Sequence, residues 1–279
     1  PYPFKTIPRP TGKATQVIIT TYDLPGLSAP HDTLIDKDGN VWASNFQEQV
    51  FTKLDPKTGK VTQYPIPISK PGFPTGSLMI TQDHEGNIWQ AQMGQAQLAK
   101  LNPKTGEVSV LLAPDWDKGD TRFTMVDALQ SKVDGKLWTK TNGGPEAGHP
   151  NKYIDVTGGG GRRGHIDSQN RLWFSQFQTN RYGVYDPKTE KVTLYDVPTP
   201  FAGAYDVQFD DDKYAWGADM STDLVQRLNV DTGEWTAYLL PISINTRHVD
   251  VQKRPGGLSS FWTEGQQNGK IVHVEPLTP

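Results

Sequence analysis

The sequence predicts an all-β protein, a six-bladed β-propeller of four-stranded antiparallel blades closed by its own N-terminal strand. Three observations predict it. A hairpin word recurs four times, as DPKTGKVTQYPIP at 55–67, NPKTGEVSVLLAP at 102–114, DPKTEKVTLYDVP at 186–198 and NVDTGEWTAYLLP at 229–241. A second word, a turn leading into tryptophan, stands upstream: DGNVW at 38–42, EGNIW at 85–89, DGKLW at 134–138 and SQNRLW at 168–173, with weaker copies DDKYAW at 211–216 and LSSFW at 258–262. The tryptophans at 42, 89, 138, 173, 216 and 262 are spaced by 47, 49, 35, 43 and 46 residues, and a period of about 40–50 is that of one propeller blade.

The first unit shows how each blade is read. HDTLID alternates as an inner strand, and VWASNF follows the turn as the second. VFTKLD is the third and, after PKTG, KVTQYPIP is the outer one. Alternation puts one face of each sheet against its neighbour. A proline after the outer strand is compatible with an edge. The same grammar places blades at about 30–67, 73–114, 121–160, 161–198, 202–241 and 245–279 in a single domain over 1–279. The last unit stops after three strands, KIVHVEPL being the third, while QVIITTYDLPG at 16–26 is an outer strand without a blade. Joining the two closes the ring and removes two open sheet edges. One unit is irregular. Between Trp138 and Trp173 no outer strand follows YIDVTG, and Gly158–Gly161 stand there instead. That leaves a seven-bladed form open, or a seven-bladed relative lacking one blade near 158–161. Residues 143–161, rich in glycine and proline, are expected to be the least ordered internal segment.

Composition narrows the function. The chain of 279 residues carries 28 basic and 31 acidic groups, a net charge of −3. Nucleic-acid binding needs a basic surface, so it is not expected. There is no cysteine, which removes disulfides and thiolate metal sites. No apolar run reaches the roughly 18 residues of a membrane span. No signal peptide is seen, and the start PYPFKTIPRP, without Met, reads as a mature or trimmed end. Inner strands line the axis of a propeller, and ligands enter at a mouth of the channel. His31 lies 11 residues before Trp42, and the same offset selects Leu78, Asp127, Arg162 and Tyr205. In the last unit the word RHVD places His248 in that ring. Four ionisable groups and a tyrosine point to a polar mouth for an anionic ligand or a metal. His165, three residues beyond the ring, is read as packing or partner contact, His84 and His149 as solvent residues, and His273 as packing.

The words PHD-x3-DxDGNVW, KLDPKTGKVTxYPIP, RLWFSQFQTNRYGVYDPKTEKVTLYDVPTP and RLNVDTGEWTAYLLP resemble the virginiamycin B lyase (streptogramin B lyase) family over about 16–277. That family usually has seven blades. The resemblance implies an extracytoplasmic protein, periplasmic or secreted, and a Mg-dependent carbon–oxygen lyase. Such an enzyme opens a cyclic depsipeptide ester by elimination, with His248 as base and Glu264 beside it as part of the Mg site. Three departures accompany the match: Arg247 stands for a proline, Glu264 follows Trp262 by two residues rather than three, and Tyr205 stands for a histidine. These place a binding scaffold, monomeric and taking a small-molecule or peptide ligand at the channel mouth, ahead of the lyase. A metal-dependent lactonase ranks third, for which Asn45 and Asp219 are suitable residues but an inner glutamate is missing.

Overall fold

The structure is a computed structural model. It describes residues 9–26, 28–113 and 161–279, with the short pieces 116–117, 129–130 and 137–138. Asp127, His149, most of the unit at 121–160 and most of the segment 143–161 lie outside the described residues.

Among the described residues there are five four-stranded antiparallel blades. The first is built from Pro30–Ile35, Val41–Asn45, Val50–Asp55 and Lys60–Pro65, and the second from Met79–Gln82, Ile88–Gln92, Gln97–Leu101 and Val108–Leu112. The third runs through Gly161–Ile166, Leu172–Gln176, Arg181–Asp186 and Lys191–Asp196. The fourth comprises Ala204–Phe209, Tyr214–Asp219, Leu224–Asn229 and Trp235–Leu239. The last joins Asp250–Lys253, Ser259–Gly265 and Lys270–Pro276 to Val17–Asp23. Closure by the N-terminal strand therefore holds, with Val17 opposite Pro276 and Asp23 opposite Lys270. Among the described residues, no helix is long and apolar enough to cross a membrane.

The expectation of six blades, or of seven, is corrected to five. Counting tryptophans counted hairpins, and a hairpin supplies only two of a blade's four strands. The unit around Trp138 contributes a ladder of two residue pairs, Leu129 opposite Trp138 and Gln130 opposite Leu137. It also lacks a device that three of the blades share. Six residues before the tryptophan stands an aspartate whose carboxylate accepts the indole N–H: Asp36 for Trp42 at 2.8 Å, Asp83 for Trp89 at 2.8 Å and Asp167 for Trp173 at 2.9 Å. Asp36 also accepts the backbone N–H groups of Asp38 and Asn40, both at 2.9 Å. One short side chain thus shapes the turn and fixes the ring it leads to. The residue at that position before Trp138 is Lys132.

The core lies between blades. Trp42, Phe51, Ile80 and Leu101 fill the seam of the first and second blades. Trp173, Tyr182, Phe209 and Leu228 fill that of the third and fourth. Trp216, Tyr238, Phe261 and Val272 lie between the fourth and the last, and Trp262, Val41 and Leu54 between the last and the first. Trp42, Trp173, Trp216 and Trp262 are all at most 2% exposed. Deleting such a ring to alanine costs about 3–5 kcal/mol. Close blade packing also explains Gly217, where an added Cβ would sit 1.8 Å from the Tyr182 hydroxyl.

Candidate functional site

Inner strands are not straight ladders. Register shifts fall between Pro30 and Thr33 in the first blade, Gly161 and Gly164 in the third, and Ala204 and Asp206 in the fourth. A bulge bends its strand and re-aims the side chains beside it. Two serines brace the bulges. Ser44 Oγ accepts the Asp32 N–H at 2.9 Å and donates to the Leu78 carbonyl of the next blade at 3.1 Å. Ser175 Oγ accepts the Arg163 N–H at 3.4 Å and donates to the Tyr205 carbonyl.

The bulges bring Asp32 and Arg163 together from opposite blades. Arg163 Nη1 donates to Asp32 Oδ2, and both residues are buried. Burial works against the Asp32 charge, but Arg163, with His248 and His31, holds its carboxyl down to about 2. His31 joins the pair. Its Nδ1 is 2.7 Å from Asp32 Oδ1 and 3.0 Å from the Leu78 carbonyl. Arg163 Nη2 also stands 3.2 Å from Nδ1, and burial lowers the ring's pKa so that it stays neutral.

On one side of this pair lies an arginine cluster around Tyr205, whose ring is buried. The guanidinium carbons of Arg162, Arg163 and Arg247 stand 4.9, 5.8 and 5.8 Å from the Tyr205 ring centre, and Arg162 also covers Phe177 at 5.4 Å. Glu264 lies below Arg247, fully buried, its Oε1 accepting the Arg247 N–H at 2.9 Å. Burial pushes its carboxyl well above the usual carboxylate range.

On the other side the inner strands enclose a cavity of about 400 Å³. Its walls include Leu34, Ile80 and Ile166, and Gln208, Asp250 and His84 lie among its polar residues. Next to the Asp32–Arg163 pair it is lined by His165 and His248, whose ring centres are 5.3 Å apart. Both face Asp206, which is fully buried. His165 Nε2 is 3.1 Å and His248 Nδ1 2.9 Å from Asp206 Oδ2. Burial opposes charge on His248, but Asp32 and Asp206 push its pKa up to about 9. Burial likewise opposes charge on Asp206, yet the two imidazoles hold its carboxyl well below the usual range.

The structure thus sorts the residues singled out in the sequence. His31 and Tyr205 are buried next to Arg163, and Arg162 is exposed beside Tyr205. His248 lies behind Arg163, and Glu264 is sealed under Arg247. Asp32, Arg163 and Asp206, each ten residues before its tryptophan, were missed because a common offset assumes unbulged strands. His165, expected in packing or partner contact, lines the cavity. His84 is exposed as expected and also reaches the cavity wall. His273 stacks on Trp262 with ring centres 3.8 Å apart.

The Mg site implied by the resemblance does not fit these residues. Mg wants several oxygen ligands and bound waters. Burial disfavours charge on Glu264, which accepts a backbone amide and is absent from the cavity wall.

No family model and no curated protein matches the chain. Solved structures do. A streptogramin B lyase structure aligns with TM-score 0.65 at 16% identity, over 95% of this chain and 99% of the other. A catalytically inactive virginiamycin B lyase from Staphylococcus aureus, solved with quinupristin, aligns with TM-score 0.55 at 15% identity over 93% and 99%. The PQQ-bound aldose sugar dehydrogenase of Streptomyces coelicolor gives TM-score 0.55 at 16% identity over 92% and 98%. The likeness is one of fold, and the fold relationship to the streptogramin lyase propellers holds over nearly the whole chain.

Proposed function

We infer that this propeller is a binding protein for a small carboxylate-bearing ligand, taken at the arginine cluster around Tyr205. The observation that carries this reading is an excess of positive charge. Three guanidinium groups surround one aromatic ring. Of the nearby carboxyls, Asp32 is committed to Arg163, and Glu264 is fully buried, which disfavours its charged form. Guanidinium forks match a carboxylate in shape and charge, and the half-buried Phe177 offers apolar area for its body.

Lyase chemistry has less support. A general base must be free to take a proton near neutral pH, whereas His248 is protonated there. The departures at Tyr205 and Glu264 point the same way. The test is titration calorimetry with benzoate, phenylacetate and succinate, each against its amide. Carboxylates should bind and amides should not. Arg162→Gln and Arg247→Gln should each weaken binding about tenfold, a loss of about 1.4 kcal/mol. Equal binding of acid and amide would remove the anion reading. Incubation with a type B streptogramin and Mg should leave the ring closed by mass. Opening without gain of water would restore the lyase.

A further inference from the structure

We propose that His165 Nε2, an Asp206 carboxylate oxygen and His248 Nδ1 hold a divalent transition-metal ion of the zinc or cobalt class. The three ligand atoms all lie within 4.8 Å of one another. The two nitrogen–oxygen separations of 3.1 and 2.9 Å are close to the edge of a coordination tetrahedron, about 3.3 Å for bonds of 2.0–2.1 Å.

Two further features favour an ion over a plain hydrogen-bonded triad. His248 Nδ1 is buried and stands 2.9 Å from Asp206 Oδ2 without good hydrogen-bond alignment, and an ion bound there takes the place of the ring proton. The nitrogen and the oxygen are near each other without pointing at each other, which is how two ligands of a common centre stand. Asp206 is also oriented from behind. Its Oδ1 accepts the Val207 N–H at 2.8 Å and its Oδ2 the Val249 N–H at 3.0 Å. Backbone donors of this kind fix a ligating carboxylate.

The donor set selects the metal. Two imidazoles and one carboxylate suit zinc, cobalt, iron or nickel and not magnesium or calcium. Three protein ligands leave coordination positions over, and because His165 and His248 line the axial cavity these open into it. The site lies beyond the Asp32–Arg163 pair from the Tyr205 cluster and does not rest on the carboxylate-binding reading.

The test uses the whole chain, stripped with a chelator and dialysed. Cobalt(II) is added with visible d–d absorption as the readout, and zinc(II) by calorimetry. One ion per chain should bind with a dissociation constant of about 1 μM or tighter, and millimolar magnesium should not displace it. H165Q and D206N should each weaken binding about 100-fold. His165 is the more exposed ligand, so H165Q is the milder change, and a circular-dichroism melt confirms that it is folded. Absence of cobalt binding to the wild-type chain would overturn the proposal, as would unchanged affinity in folded H165Q. Carboxylate binding is measured separately in chelator, so that failure of either reading is seen without the other.

Discussion

Arg163 and Asp32, 131 residues apart in sequence, form a buried ion pair between the third and first blades. The pair lies between the Tyr205 cluster and the histidine-lined cavity. Each of the two is held by a strand bulge and a serine of the second strand.

Breaking that pair from one side leaves a buried charge without its partner. D32N is expected to lose about 3–5 kcal/mol of stability. Combining it with Arg163→Met should cost less than the two single changes summed, because the second change removes the stranded charge. Urea unfolding of the four chains measures this. Simple additivity would show that the two groups are not coupled.

Asp36 accepts two backbone N–H groups, the Asn40 side chain and the Trp42 indole. D36A strands a buried indole donor and loosens the turn together. The expected loss is about 2–3 kcal/mol, seen as a lower urea midpoint with an unchanged slope.

Asp219 supplies a pH dependence. Burial pushes its carboxyl from 3.8 up to about 7, against hydrogen bonds from Gln226 and Tyr182. Its folded pKa is raised, so the folded state holds a proton that the unfolded chain has released between those values. The favourable term is complete below about pH 4 and is lost as pH rises to 7. At about 1.4 kcal/mol per unit the change amounts to a few kcal/mol. D219N should flatten the stability profile over this range and be more stable than the parent above pH 7. Unfolding midpoints at pH 5 and pH 8 decide it, and an unaltered profile would contradict the assignment.

The fourth position of the PKTG turn is glycine in three copies, with φ of +71° at Gly59 and +75° at Gly106 and Gly233. The remaining copy has Glu190 at +56°. A side chain in this left-handed region costs about 1–2 kcal/mol. E190G should therefore raise stability by about 1 kcal/mol, measured as a higher melting temperature with the fold unchanged.

Most of the architecture was legible because it is written in short-range chemistry. Turn glycines, strand alternation and buried tryptophans all act within about ten residues and leave repeated words. The closing strand was legible for the same reason, since Val17–Asp23 repeats an outer-strand pattern. Blade number was misread because tryptophan marks a hairpin. An aspartate stands six residues before the tryptophan in four of the five blades and Lys132 stands there in the unit around Trp138, but the last blade, with Gly256 there, is four-stranded without it. The site was only partly legible. A bulge inserts one residue and re-aims the side chains beside it, so a fixed offset names His31, Arg162 and Tyr205 while Asp32, Arg163 and Asp206 beside them carry the axial charges. His165 was missed because its importance comes from Asp206 and His248, on other blades.

The pairing of Val17–Asp23 with Lys270–Pro276 also governs the order in which the molecule is made. On the ribosome the first strand emerges long before its partner exists. Synthesis adds about 5–20 residues per second, so that strand waits on the order of tens of seconds. Throughout this time the first and last blades cannot lock together, and two rows of backbone hydrogen-bonding groups stay available to other chains. A nascent ring of this design stays exposed to premature association until its final strand is released, which makes translation speed through the last blade a determinant of yield.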